Sequence, residues 1–254
     1  MAAGIKVMEP QWPAPAHVRA LTTERSGGHS VGTFGGMNLA SHVGDDPQAV
    51  AANRTLLRTA LNLPAAPHWL AQVHGPLVVQ AGEPGERPAA DGIFTTSTGV
   101  VCAVLTADCA PVFLTDRTGT FAAVLHVGWR GLAAGIIEAG LATVPAATSD
   151  LLAWIGPGIG PGAFVVGGEV RKQLLNDYPE DHALFVTTGA RYLANLPGLV
   201  LAHLQRQGVG YAAVCPVCTY SDSARWFSHR RESPCGRMVS LIWLEAAVNG
   251  PVQR

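Results

Sequence analysis

Apolar positions along the chain fall into short runs separated by turn residues, not into one long stripe. Residues 99–105 and 111–115 are continuous apolar stretches too short for helices, which predicts two short buried strands. Thr118-Gly119 then punctuates the chain before a third strand, Phe121 to Val127. After Gly128-Trp129-Arg130-Gly131 the period changes. Leu132, Ile136, Ile137 and Leu141 recur at helical spacing, so a helix over 132–141 is entered directly from a strand end. Another strand, Leu151 to Ile155, stops at the Gly- and Pro-rich run 156–162, while Val170 to Leu175 and Leu199 to Gln207 read as helices. Strands clustered ahead of helices predict an α+β sandwich with mixed sheets rather than a regular doubly wound sheet. Residues 82–90 form the clearest loop, yet apolar runs of the same kind continue on both sides. That is an excursion within one domain, 1–254, whose last residues, 248–254, are expected to fray.

Composition narrows the function. With 254 residues, 48% of them hydrophobic, the chain can bury one large core. Its 17 Lys plus Arg are matched by 18 Asp plus Glu and are scattered, which argues against a nucleic-acid groove or a polybasic membrane surface. The N-terminus lacks a basic start followed by an apolar run, and no stretch approaches ~18 uninterrupted apolar residues. The expectation is a cytoplasmic monomer acting on a small molecule. Five cysteines, an odd number in a chain this large, point to reduced thiols or metal ligands and not to a disulfide framework.

Three residues stand where apolar segments break. Cys109 lies in the turn Thr106-Ala107-Asp108-Cys109-Ala110-Pro111, His126 closes the third strand, and His74 sits in Gln72-Val73-His74-Gly75-Pro76. Adjacent strands lie about 5 Å apart, so three neighbouring strand ends at one sheet edge can share an ion. Taken singly, each has an ordinary reading, because a His at a strand end is commonly structural and Cys is among the most buried residues. The spacings, 35 residues from His74 to Cys109 and 17 from Cys109 to His126, match no zinc-finger pattern. Packing and metal ligation both remain open on this ground.

The strings Gln72-Val73-His74-Gly75, Thr106 to Pro111, His126-Val127-Gly128-Trp129-Arg130-Gly131, Ile155 to Gly160 and Phe227-Ser228-His229-Arg230-Arg231 resemble the YfiH/YlmD family, also called the laccase-domain family. Thr23 to Gly28, Asn38-Leu39, His42 to Pro47, Asn53-Arg54 and Gly236-Arg237 extend the resemblance over most of the chain. It implies a layered α/β/β/α sandwich, similar to a group of cysteine hydrolases, in which His74, Cys109 and His126 bind zinc. Two neutral imidazoles and a thiolate leave a Zn²⁺ site with a net charge of about +1 and a fourth position open, the composition of a catalytic site. That charge attracts an anion.

Arg25, Arg130 and Arg230 lie in or beside these strings, and a guanidinium fork suits phosphate; the ordinary reading of each is a salt bridge. Asp108 reads as a partner of the ligands or a proton acceptor, or as plain turn chemistry before a strand. Phe227 or Trp129 could stack on a base, or belong to the core. The resemblance implies purine-nucleoside chemistry, namely phosphorolysis of adenosine, inosine, guanosine and methylthioadenosine with adenosine deamination. Three alternatives stand beside it: a peptidoglycan-editing amidohydrolase acting on a UDP-MurNAc-amino acid, a copper-dependent polyphenol oxidase, and a non-enzymatic metal-binding protein. A multinuclear copper cluster needs several His-x-His pairs; this chain has nine His and none so paired. Copper could still occupy a His₂Cys site adventitiously.

Two other signals compete. Cys215-Pro216-Val217-Cys218 with His229 and Cys235 offers four ligands for a structural zinc, although packing is the preferred reading. The Gly156 to Gly162 run lacks the GKS/T ending of a phosphate loop, and its prolines remove amide donors, so it reads as a rigid turn bordering the pocket.

Overall fold

The structure, a computed structural model, describes residues 4–83 and 85–246; the expected fraying at 248–254 lies outside them. In chain order the elements are β1 (Val7–Met8), β2 (Val18–Thr23), α1 (Pro47–Ala60), β3 (Val78–Gln80), β4 (Gly92–Thr95), β5 (Cys102–Thr106), β6 (Ala110–Asp116) and β7 (Ala122–Val127). There follow α2 (Trp129–Ala133), α3 (Ile136–Thr143), β8 (Leu151–Ile155), β9 (Val165–Val166), α4 (Gly168–Leu174), β10 (Phe185–Thr188), β11 (Arg191–Ala194), α5 (Leu196–Arg206), β12 (Tyr211–Val214) and β13 (Met238–Leu244). A six-stranded mixed sheet runs β12-β8-β6-β7-β4-β3, and a four-stranded antiparallel sheet runs β1-β2-β13-β5. β9, β10 and β11 form a small third sheet.

Side-chain alternation shows how the layers stack. In β13, Ile242 and Leu244 join Cys102, Val104, Phe113 and Val124 between the two sheets, while Val239, Leu241 and Trp243 face Leu57 of α1. In β7, Ala122 and Val124 face the other sheet, and Ala123, Leu125 and Val127 face Leu132, Ile136 and Leu141 of α2 and α3. Each of these two large sheets is thus covered on both faces, giving the α/β/β/α order. This explains why β6, β7 and β13 are apolar without polar alternation: neither face meets water.

The three strands expected before Gly128 are divided between the sheets: β5 pairs with β13 in the four-stranded sheet, while β6 and β7 form a hairpin in the other. The expected helix over 132–141 is two helices, broken where Gly135 takes a φ of 84° that a side chain would strain. And α1 escaped notice although Asp46 caps it by accepting from the Gln48 amide, with Pro47 at its first position. Its inward row of Val50, Asn53 and Leu57 is interrupted by a polar residue, which breaks the apolar stripe.

Candidate metal centre

Cys109 lies in the turn that crosses from β5 in one sheet to β6 in the other. His126, one residue from the end of β7, has the same orientation as Ala122 and Val124 and so points between the sheets. His74 comes from the loop before β3. The three residues each present a ligand atom, all within 4.8 Å of one another, and the two imidazole rings meet edge-on with centroids 4.8 Å apart. They converge at one end of the six-stranded sheet, where β6 begins, β7 ends and the loop before β3 enters, with His126 aimed toward the gap between the sheets. A Cβ on Gly128 would sit 2.8 Å from Cys109 Sγ and 3.3 Å from His74 Cδ2, so glycine is what lets the backbone after β7 approach the cluster.

Asp91, buried at the foot of β4, organises two of the ligands, and nothing in the sequence singled it out. Its carboxylate accepts from the amides of Val73 (3.1 Å), His74 (2.9 Å) and Gly75 (2.8 Å) and from His126 Nδ1 (2.8 Å). The amide bonds hold His74 at a φ of 60°, sparsely populated for a non-glycine residue. The Nδ1 bond fixes the tautomer of His126 and turns Nε2 toward the cluster. Burial pushes the Asp91 carboxyl up, but its bonds from His126, Gly75 and Val73 outweigh this and hold it below the ordinary carboxylate value. In sequence Asp91-Gly92 looks like turn punctuation.

Charge within the trio is coupled. Burial raises the Cys109 thiol, yet His126 and His74 beside it bring it down to about 6. Burial lowers His126, yet the Cys109 thiolate and Asp91 bring it up to about 9. Between these values the pair shares one proton, and a metal ion must displace it to reach thiolate and neutral imidazole. Metal affinity is therefore expected to rise about tenfold per pH unit from about 6 to about 9, releasing about one proton per ion, and to level off above. Calorimetric titration in two buffers of different ionisation enthalpy reads this directly. Absence of proton release at pH 7.5 would contradict the coupling.

Two cavities meet at the trio, sharing His74, Ala107, Cys109 and His229. The first, about 430 Å³, is walled by Trp129, Ile159 and Phe164, with Asp108, Arg130 and Arg230 around them. The second, about 360 Å³, adds His42, Gln72, His126 and Arg237. Arg130 lies over the Trp129 ring at 4.5 Å and Arg230 over Phe164 at 5.2 Å, and Arg230 also donates to the Val165 carbonyl at 2.6 Å. Arg25 lines neither cavity. It stacks on Phe227 at 4.5 Å, donates to the carbonyls of Ser223 and Gly35 and lies 3.8 Å from Glu232, so it ties loops together. Phe227 is fully buried and cannot stack on a ligand; Trp129 can. Asp108, at a φ of 94°, accepts from Thr219 Oγ1 (2.7 Å) and from the Arg230 amide (2.6 Å). Its carboxylate borders the first cavity while pinning two distant loops beside Cys109. His42, Gln72 and Arg237 lay inside the quoted strings without being assigned a role; only their shared cavity marks them.

The CxxC does not assemble a second site. Cys215 packs against Met8 with its Sγ 3.4 Å from the Met8 Sδ, Cys218 accepts from the Gly160 amide at 3.1 Å, and Cys235 is buried with Trp226 and Phe227. Among the described residues only His74, Cys109 and His126 bring three such ligand atoms together. Cys215→Ser and Cys218→Ser should accordingly leave metal content unchanged by elemental analysis; loss of one ion per chain would revive the structural site.

Comparison with known proteins agrees with this architecture. The family described as multi-copper polyphenol oxidoreductase laccase matches residues 19–245. A purine nucleoside phosphorylase of Pseudomonas aeruginosa is 45% identical over 240 residues, covering 94% of this chain and 98% of the relative. The purine nucleoside phosphorylase YfiH of Escherichia coli is 43% identical over 240 residues, covering 94% and 99%. The crystal structure of a Neisseria meningitidis protein, 40% identical, superposes with a TM-score of 0.91 over 94% of this chain and 99% of that one. The mixed α+β fold expected from the sequence is shared with it.

Proposed function

We propose that this chain, which belongs to the multi-copper polyphenol oxidoreductase laccase family, is a zinc-dependent purine nucleoside phosphorylase that also deaminates adenosine. The observation that carries the reading is the His74–Cys109–His126 cluster at the meeting point of two cavities, one of them aromatic and of ligand size. The donor set fits the ion: two imidazoles and a thiolate, with a carboxylate fixing the tautomer of one imidazole and cavity space left beyond them. Copper would also bind such a set, but phosphorolysis involves no change of oxidation state, which favours zinc. When bound, zinc would supply Lewis-acid polarisation of a substrate oxygen.

The chain's own residues do the rest. Trp129, Ile159 and Phe164 give the purine an apolar wall, and Arg130 and Arg230 stand over the same aromatic rings. In phosphorolysis a phosphate oxygen bonds to ribose C1′ as the bond to the purine nitrogen breaks, and the proton of hydrogen phosphate ends on the departing base. His229, which lines both cavities, is the titratable side chain placed between them to carry it. The substrates proposed are adenosine, inosine, guanosine and methylthioadenosine, taken up by a monomer without nucleic-acid or membrane partners. Among the described residues no helix is long and apolar enough to cross a membrane.

Zinc-loaded protein incubated with inosine is expected to release hypoxanthine and ribose 1-phosphate only when phosphate is present, as chromatography would show. Failure with all four nucleosides, together with hydrolysis of a UDP-MurNAc-amino acid, would replace this reading with the editing amidohydrolase. Copper-dependent phenol oxidation alone would replace it with the oxidase.

A further inference from the structure

We propose that the second cavity is an oxyanion subsite, in which Arg237 and His42, with Arg87 at its mouth beside His42, hold phosphate on the side of the metal cluster away from the aromatic wall. The assignment of inorganic phosphate as the anion rests on the phosphorolysis reading; the subsite itself rests on charge and geometry.

No carboxylate lines this cavity, whereas Asp108 borders the first. Arg237 and His42 line it, and Arg87 Nη2 stands 3.5 Å from His42 Nδ1. Arg237 spends only Nη1 on the protein, donating to the carbonyls of Cys235 (2.8 Å) and Gly236 (3.0 Å). Among the described residues its Nε and Nη2 make no hydrogen bond, and no carboxylate lies within 4.0 Å ion-pair range of Arg87 or Arg237. Arg54 completes the group but is committed, giving Nε and Nη2 to the Leu39 carbonyl and lying 4.2 Å over the Trp69 ring. The positive field is registered by His42, whose pKa is lowered first by burial and then by Arg237, Arg87 and Arg54.

Three guanidinium groups gathered without a counter-charge repel one another, and a tetrahedral oxyanion that accepts from several donors at once offsets that repulsion. The aromatic cavity suits the opposite role. Its arginines lie over aromatic rings and its polar wall carries a carboxylate, an arrangement that favours a purine and disfavours a free anion. Purine and phosphate would thus approach the shared wall of His74, Cys109 and His229 from two different chambers.

The test uses full-length zinc-loaded protein and inorganic phosphate. Arg237→Gln is expected to raise KM for phosphate by about tenfold or more, the scale of a lost charge-assisted bond, with KM for inosine unchanged within twofold. Arg87→Gln, an exposed position that is safe for folding, should raise KM for phosphate by a smaller factor of about two to five. Arg230→Gln should do the reverse and act on inosine. Phosphate affinity unchanged in both Arg237→Gln and Arg87→Gln but lost in Arg230→Gln would put the anion in the aromatic cavity and overturn the proposal. If the wild-type protein turns over no nucleoside, binding decides, by phosphorus NMR titration of inorganic phosphate and, separately, of UDP. Binding of either that is lost in Arg237→Gln upholds the subsite while the phosphorolysis reading fails, and tells a free phosphate from a nucleotide-borne one. Binding of neither ends it.

Discussion

Asp91→Ala is expected to strip the protein of its metal and of much of its stability, although Asp91 touches no substrate. Its side chain is 0% exposed and the His126 side chain 4%, so removing the carboxylate leaves an imidazolium and three loop amides buried without their acceptor. Breaking a buried charged pair in this way costs about 3–5 kcal/mol. At about 2–4 °C per kcal/mol for a chain of this size, the melting temperature should fall by about 6–20 °C. Asp91→Asn separates the two roles. It keeps the shape and one acceptor oxygen but sets an amide donor against two of the N–H groups, so the stability loss should be smaller than for alanine, while metal affinity falls by about 10- to 100-fold, the usual cost of losing a carboxylate behind a ligating His. Thermal unfolding of the metal-free forms and competitive metal titration read the two effects. Wild-type affinity in Asp91→Asn would show that Asp91 does no more than shape the loop.

Cys109→Ser should give the opposite pattern: metal and activity lost together, fold kept. A hydroxyl at ordinary pH is a far poorer ligand than a thiolate, and an affinity loss of about 100-fold or more is expected, roughly a one-ligand share of a structural zinc site's binding energy. The frame does not need the thiolate, because the His74 loop and His126 are held by Asp91. The variant has a signature beyond activity. With the thiolate gone, the first of the influences that raise His126 disappears, so its imidazole should titrate below about 9 while Asp91 still supports it. Stoichiometric zinc in Cys109→Ser would sink the ligand assignment. His126→Ala should lose metal too, but with a stability cost, because it strands the Asp91 carboxylate.

What the sequence disclosed and what it withheld divide along range. β6, β7 and β8 are legible because each is a continuous apolar run between turn residues, a purely local property. The trio was found from breaks at strand ends and from family resemblance; its spacing carried no signal, because the residues meet only through the order β6-β7-β4-β3 in one sheet. That order depends on pairings such as Val78 with Gly92 and Gly92 with Leu125, which no local pattern encodes. Asp91 was invisible for a related reason: a carboxylate collecting amides from a loop about 17 residues away looks, in sequence, like any Asp-Gly turn. Arg25 misled in the other direction. It belongs to a family string, but strings also record what holds loops together, and Arg25 stacked on Phe227 is such a case.

The position of β13 bears on how the protein is made. It is the last described strand, yet it lies inside its sheet, flanked by β2 from near the start of the chain and β5 from its middle. On the ribosome both of those strands therefore wait with open edges, and the inward face of β7, His126 included, has no completed layer opposite it. The four-stranded sheet can close only once β13 has been made, so the nascent chain passes through an interval in which the edges of β2 and β5 are free to pair with another copy. Deleting β13 would remove a central strand and leave those two edges open for good.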